Sequence, residues 1–269
     1  MTSDEGPVTM EEQATRLALI RNLEALAANA WPAAEVSCLG GWRLRFTEGV
    51  TRRANSVWPN QPLAGAALNE TLAQVEAFYA ARKEPPRYQL SPAAEPADLD
   101  ARLAARGYRA VARSAVQAVA LPTILQRTKP LRLLPAFEVE VSEAYDEAWF
   151  VAYAAMEHAG AADHRVRRAI LQRIAAQTAY ASLRIDGSMA AVGLGVLEGA
   201  WLGVFCMATA SAFRRRGAAA AILRTLAIWA QLYDAHHAYL QVMDDNAPAR
   251  SLYAGAGFQT LYHYHYREK

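Results

Sequence analysis

Cysteine is almost missing from this chain, with Cys38 and Cys206 its two thiols. That scarcity excludes a disulfide framework and a cysteine-built zinc site, and a reducing compartment is the simpler expectation. Long apolar runs are missing too. Met189–Leu197 stops at Glu198 and Gly217–Leu223 stops at Arg224, well short of the roughly 18 residues of a membrane span. No charge of one sign dominates, since 28 basic and 26 acidic side chains leave a net +2. That balance gives no global argument for a nucleic-acid or membrane-surface protein. The opening residues, Met1 to Val8, are acidic and lack the basic start and apolar core of a signal peptide, so a cytoplasmic protein is expected. What is present is 53% hydrophobic residues over 269 positions, enough chain for two cores.

Leu17, Ile20, Leu23 and Leu26 share a helical face, which predicts a helix over Glu11–Ala30 ended by Pro32. Gly40-Gly41 joins Glu35–Leu39 to Trp42–Phe46 as a hairpin, and Val50–Trp58 reads as a further strand. Then follow a helix over Leu68–Ala81, a strand over Arg87–Leu90, a helix over Pro96–Arg106 and a strand over Arg109–Leu121. Pro122–Pro135 has no clean period and reads as a linker. Beyond it, Phe137–Val141 is a strand, Ser142 an N-cap for a helix through Met156, and Val166–Thr178 a second helix. Strands over Tyr180–Ile185, Met189–Leu197 and Trp201–Ala208 precede a helix over Gly217–Tyr233. A strand over Ala238–Met243, a helix over Ala247–Gly255 and a strand over Gln259–Tyr266 complete the chain.

The halves repeat each other. Each runs helix, short strand, short helix, then Gly-aromatic and a terminal strand, with Gly107-Tyr108 in one and Gly257-Phe258 in the other. An internal duplication with diverged copies accounts for this. The expected division is 1–121, a linker at 122–135, and 136–269.

The chemistry concentrates in Met207-Ala-Thr-Ala-Ser-Ala-Phe-Arg-Arg-Arg-Gly-Ala-Ala-Ala-Ala-Ile-Leu223, where a strand ends, a loop turns and a helix begins. Unpaired N–H groups and the helix dipole make such a start an anion site, and glycine lets backbone approach a ligand closely. Arg214, Arg215 and Arg216 place positive charge where the dipole disfavours it, so an anionic partner such as a diphosphate is expected. Arg214-Arg-Arg-Gly217-Ala-Ala219 resembles the acyl-CoA signature Gln/Arg-x-x-Gly-x-Gly/Ala of the GNAT superfamily of N-acetyltransferases. Asn246, then Leu252-Tyr253, then Gly257-Phe258 resemble its second signature, with Tyr253 seven residues after Asn246. The order β-α-α-β-β-β-α-β-α-β from Phe137 to Tyr266 matches as well.

The resemblance covers about residues 136–269 and implies an α/β fold with a mixed sheet, tandem duplicated, the first copy partial. It implies acetyl-CoA as co-substrate and no metal. Met207, Ala208 and Thr209 would pair with the pantetheine arm, backbone from Arg215 through Ala220, including Gly217 and Ala218, would hold the pyrophosphate, and Asn246 would touch the arm from the other side. Tyr253 would donate a proton to the departing thiolate. No base is assigned. Glu157, His158, Asp163 and His164 are placed in the loop between the first two helices of the second half. Glu198 is placed in a turn, Gln241 on a strand, and His263 and His265 on one face of the last strand, with a water relay as a further route.

The first half has no arginine cluster before its helix and has Ala104 and Ala105 where the tyrosine would fall, so it is read as a copy without a CoA site. Its stretch Thr51–Trp58 alternates with polar residues on both faces. Either this stretch, with Arg53 or Arg52 contributing, receives an anionic or carboxylate-bearing acceptor, or it is an edge strand with solvated arginines. His236-His237 and His263-Tyr-His265 lack companions at metal-ligand spacing. The expected function is acetyl transfer to a primary amine of a small-molecule or amino-acid-like acceptor. A protein acetyltransferase and a non-catalytic acyl-CoA binder are the alternatives. No nucleic acid and no membrane are expected as partners, and an oligomer stays open.

Overall fold

The computed structural model describes residues 9–63, 67–128, 137–157 and 160–269. The first half supplies α1 (Met10–Asn29), β1 (Glu35–Leu39), β2 (Trp42–Phe46), β3 (Val57–Trp58), α2 (Leu68–Ala80), β4 (Arg87–Leu90), α3 (Leu99–Ala105) and β5 (Arg109–Ala120). After α4 (Leu121–Arg127) come β6 (Phe137–Ser142), α5 (Glu147–Met156), α6 (Ala161–Gln172), β7 (Gln177–Ile185), β8 (Ser188–Glu198) and β9 (Trp201–Thr209). The second half ends with α7 (Ala218–Gln231), β10 (His237–Met243), α8 (Ala247–Gly255) and β11 (Gln259–Glu268).

All eleven strands form one mixed sheet, ordered β1-β2-β3-β4-β11-β5-β10-β9-β8-β7-β6. Each half contributes one parallel pair, β3 with β4 and β9 with β10. The terminal strands are exchanged. β5, from the first half, lies antiparallel to β10, and β11, from the second, lies antiparallel to β4. These two strands then pair with each other at the centre. Gln259 opposes Ala118 at one end and Glu268 opposes Arg109 at the other. Each pair is the image of the other when Gly107-Tyr108 is laid on Gly257-Phe258, so the duplication read from the sequence appears as a pseudo-twofold through the sheet.

Apolar periodicity decides what covers each face. α7 buries Ile222, Leu223, Leu226, Ala227 and Ala230 against the second half's strands together with α4 and α8 residues. On the opposite face, α1 packs Ile20, Leu23, Leu26 and Ala27 beside α5 and α6, over Phe205, Tyr239 and the tyrosines of β11. The first half's first helix therefore helps to cover the second half's sheet. Asn29 Nδ2 strengthens that joint by donating to Glu198 Oε1 at 2.9 Å.

Several expectations shift. The proposed linker starts with α4, because Leu121 and Ile124 are fully buried and Pro122 sits in the first turn, where no N–H is required. Residues 129–136 of that segment lie outside the described residues. Asp146, not Ser142, caps α5, accepting from Ala148 N at 2.8 Å and Trp149 N at 3.2 Å. The second helix begins at Ala161 and ends at Gln172, since Gln177 and Thr178 already pair with Leu197 and Val196 of β8. The strand expected over Val50–Trp58 is β3 alone. Residues 47–56 form a loop wound around the buried Asn55 side chain. Asn55 Oδ1 accepts from Thr47 N (2.6 Å) and Gly49 N (3.0 Å), and its Nδ2 donates to Val50 O (2.7 Å) and Thr51 O (2.8 Å). An asparagine serving its own loop this way replaces a strand ladder. Among the described residues no helix is long and apolar enough to cross a membrane, and no cluster of three or more His, Cys, Asp or Glu could hold a metal ion.

Candidate active site

β9 and β10 run parallel and paired only from Trp201–Val204 opposite His237–Leu240. Beyond that the two strands part. Against β8, β9 is regular at Thr209 and Ala208 and again at Phe205, but Cys206 and Met207 together oppose the single position between Val192 and Leu194. This is a β-bulge, and Cys206 carries it at φ +49°. A bulge leaves one residue outside the ladder, here just past the point where β9 and β10 part.

The opening between β9 and β10 leads into a cavity of about 490 Å³. Cys206 and Met207 form one wall, Gln241 to Met243 with Asn246, Ala249 and Tyr253 the second. The first half closes it with Trp31, Thr51, Arg52, Arg53, Ala112 and Ser114, and Tyr264 and Tyr266 look in from β11. Tyr153, Glu157 and Arg167 border the remaining side.

At the outer end of β9, Gly217 stands before α7 at φ +84°, a conformation that suits glycine. Arg215 is also left-handed, at φ +62°. Among the described residues, no acceptor is present for the N–H groups of Arg215 through Ala220, and α7 has no side-chain cap. Six free donors and a helix dipole thus converge on one exposed turn, an arrangement that fits an anion. Arg214, Arg215 and Arg216 are exposed there, with Arg214 Nε donating to Thr209 O at 3.3 Å. Asn246 caps α8 through Oδ1, which accepts from Ala249 N at 3.2 Å.

Tyr253 is 8% exposed, touches Phe258 edge-on at 5.7 Å, and lines the cavity. Burial pushes its phenol up to about 12, so it holds its proton throughout the neutral range. The Cys206 thiol is likewise pushed up to about 12, by burial, which makes it a poor nucleophile.

Over residues 17–267 the chain matches the family described as "Probable histone acetyltransferase Rv0428c C-terminal". It belongs to that acetyltransferase family. The uncharacterized N-acetyltransferase YobR of Bacillus subtilis is 31% identical over 252 residues, 93% of this chain and 98% of that protein. The probable histone acetyltransferase Rv0428c of Mycobacterium tuberculosis is 43% identical over 67 residues, 25% of this chain and 21% of that one. A solved GCN5-related N-acetyltransferase from Kribbella flavida superposes with TM-score 0.66 at 16% identity, covering 92% of this chain and 94% of its own. A tandem GNAT protein from the clavulanic acid biosynthesis pathway gives TM-score 0.66 at 12% identity, covering 98% and 96%. Those two likenesses bear on the fold, a tandem GNAT fold. The protein is an acyltransferase of the GNAT N-acetyltransferase type.

In this acetyltransferase, the residues suggested by sequence divide sharply. Met207, Asn246 and Tyr253 meet at the cavity, and Ala208, Thr209 and the Arg214–Ala220 turn continue its β9 wall outward. The candidate bases scatter. His263 and His265 fall on the face of β11 away from the cavity, where Nε2 of each meets Asp244 (3.4 Å) and Asp100 (2.9 Å), because Tyr262, Tyr264 and Tyr266 take the other face. Asp163 and His164 lie within α6, not in a loop, and His158 is outside the described residues. Glu198 ends β8, bonded to Asn29. Glu157 does border the cavity, where Arg167 Nη1 donates to it at 3.2 Å and to Tyr153 Oη at 3.0 Å. Sequence reading missed Trp31, Tyr153 and Arg167, which stand far from the motifs and reach the site only through the packing of α1, α5 and α6. It also missed the bulge at Cys206, for which no residue type is diagnostic.

Proposed function

We propose that the protein transfers the acetyl group of acetyl-CoA to a primary amine of a small acceptor, in a ternary complex within the cavity. The observation that carries this reading is the alignment of three features along one strand. Free N–H groups of Arg215–Ala220 lie past the end of β9, the bulge at Cys206 lies within it, and the protonated Tyr253 faces it across the gap. Acetyl-CoA supplies the acyl group as a thioester. The turn before α7 holds the diphosphate, and the free edge of β9 at Met207, Ala208 and Thr209 pairs with the pantetheine amides as an added strand would. Asn246 closes on the arm from α8.

The bulge N–H donates to the thioester oxygen as negative charge builds on it. The amine nitrogen bonds to the acetyl carbon, the C–S bond breaks, Tyr253 gives its proton to the sulfur, and the amine's surplus proton passes through solvent to restore Tyr253. A small acceptor suits a recess of about 490 Å³ closed by side chains from both halves. Thiol release from acetyl-CoA with a panel of small amines, read together with product mass, tests the reading. Amine-dependent thiol release with a product heavier by one acetyl group is expected. CoA binding without transfer to any amine would leave a non-catalytic binder instead.

A further inference from the structure

Charge around the cavity is not balanced. Arg52 Nε donates to Glu268 Oε1 at 2.6 Å, and Arg167 is paired with Glu157. Arg53 lines the same cavity, and among the described residues no carboxylate lies within ion-pair distance of it. Its guanidinium instead lies over two aromatic rings, 5.7 Å from the Trp31 centroid and 5.6 Å from that of Phe205. A cation–π contact of this kind places the guanidinium without using up its N–H groups, which can still donate to a ligand. Trp31 is itself fixed, its Nε1 donating to Thr51 Oγ1 at 2.9 Å. The loop beneath is pinned by Asn55 and by the pairing of Glu48 with Arg165 of α6.

The buried Glu24 lies near enough to feel the charge of Arg53 but is not its ion-pair partner. It accepts from Tyr262 Oη (2.9 Å) and Gln89 Nε2 (2.8 Å), and the equally buried Arg45 stands in the same network, bonded to Gln89 Oε1 at 2.8 Å. Burial favours the neutral form of Glu24. Phe205, against which Arg53 rests, immediately precedes the bulge residue Cys206. A cation is therefore held in place beside the point where acyl transfer is proposed to occur.

We propose that the acceptor is an amine carrying its own carboxylate, and that Arg53 binds that carboxylate within the cavity. The assignment rests on the acetyl-transfer reading and narrows it to amino-acid-like substrates. It also separates this chain from an enzyme for basic protein tails, because a lysine flanked by further lysines and arginines would bring like charge against Arg53.

The test uses α-amino acids and short ω-amino acids, each paired with its carboxamide and its decarboxylated amine, and a basic histone-tail peptide. Within each set the carboxylate-bearing amine should have the lowest KM. Arg53→Gln should raise that KM about 10- to 100-fold, the loss of a charge-assisted bidentate contact, while KM for acetyl-CoA and for the carboxamide stays put. Arg53→Lys, which keeps the charge and loses the fork, should fall between and guards against a folding defect in the glutamine variant. Equal KM across the pairs, preference for the histone-tail peptide, or an equal rise for both pair members in Arg53→Gln would each overturn the assignment and leave acetyl transfer intact. If no amine is acetylated, the functional reading fails. Calorimetry of the same amines with CoA present then decides separately, with Arg53-dependent binding of the carboxylate members upholding the assignment and its absence overturning it.

Discussion

In the second copy, α7 starts behind Gly217 in a left-handed turn with six free N–H groups, at the end of a nine-residue β9. In the first copy, α2 starts behind Ala67 with no side-chain cap, and the equivalent strand, β3, is two residues long. The frame is otherwise held in common, down to the parallel pair and the register of the exchanged terminal strands. What the first copy has in place of a long strand is the loop around Asn55, and that loop carries Thr51, Arg52 and Arg53 into the cavity. The difference teaches that one duplicated frame can be put to two uses. We read the copy with the glycine turn as the acetyl-CoA side, and the copy with the asparagine loop as the acceptor side.

The comparison is broken most severely at Tyr253, which the shared frame sets against Leu103 rather than the alanines expected from the sequence, since Phe258 N donates to Tyr253 O as Tyr108 N donates to Leu103 O. Tyr253→Phe keeps the ring and removes the proton. Loss of a general acid typically costs about 10²–10⁴ in rate, and kcat should fall at least about 10-fold with KM for acetyl-CoA within a few-fold. With a phenol pKa near 12, Tyr253 remains protonated on the alkaline side of neutrality, so the wild-type pH–kcat profile should show no loss assignable to it below about pH 10. A phenylalanine variant with full turnover would return Tyr253 to a packing role.

Gly217 gives the next largest effect. A β-branched side chain there blocks the approach of a diphosphate and must also adopt φ +84°. Gly217→Val should weaken CoA binding at least about 10-fold and lower stability by ~1–2 kcal/mol, the cost of a left-handed conformation for an L residue. Gly199, in the β8–β9 turn at φ +58° with open space where a Cβ would stand, separates the two effects. Gly199→Ala should show comparable strain in a thermal melt with CoA affinity unchanged.

The same contrast shows what was legible in the sequence. The duplication, the element order and the glycine turn were readable because each depends on local signals, namely apolar period, Gly-aromatic pairs and an arginine cluster before a helix. The exchange of β5 and β11 was not, because the alternating patterns of Arg109–Ala120 and Gln259–Glu268 fit either neighbour. Residues 50–56 of the loop were expected as strand, because alternation in Thr51–Trp58 says nothing about an asparagine that bonds its own backbone. At the site, Tyr253 and Asn246, singled out by their spacing, both line the cavity. Trp31 and Arg167 were not, since they are brought in by helices packed on the sheet face from elsewhere in the chain. Arg53 was visible only as one of two arginines, and what sets it apart from Arg52 is Glu268, more than two hundred residues away.

Calorimetric titration of CoA into the full chain tests most directly whether the two copies have divided the work. One site per chain is expected, weakened by Gly217→Val and retained at full affinity by Arg53→Gln. Two equivalent sites, or unweakened binding in the Gly217→Val variant, would contradict it.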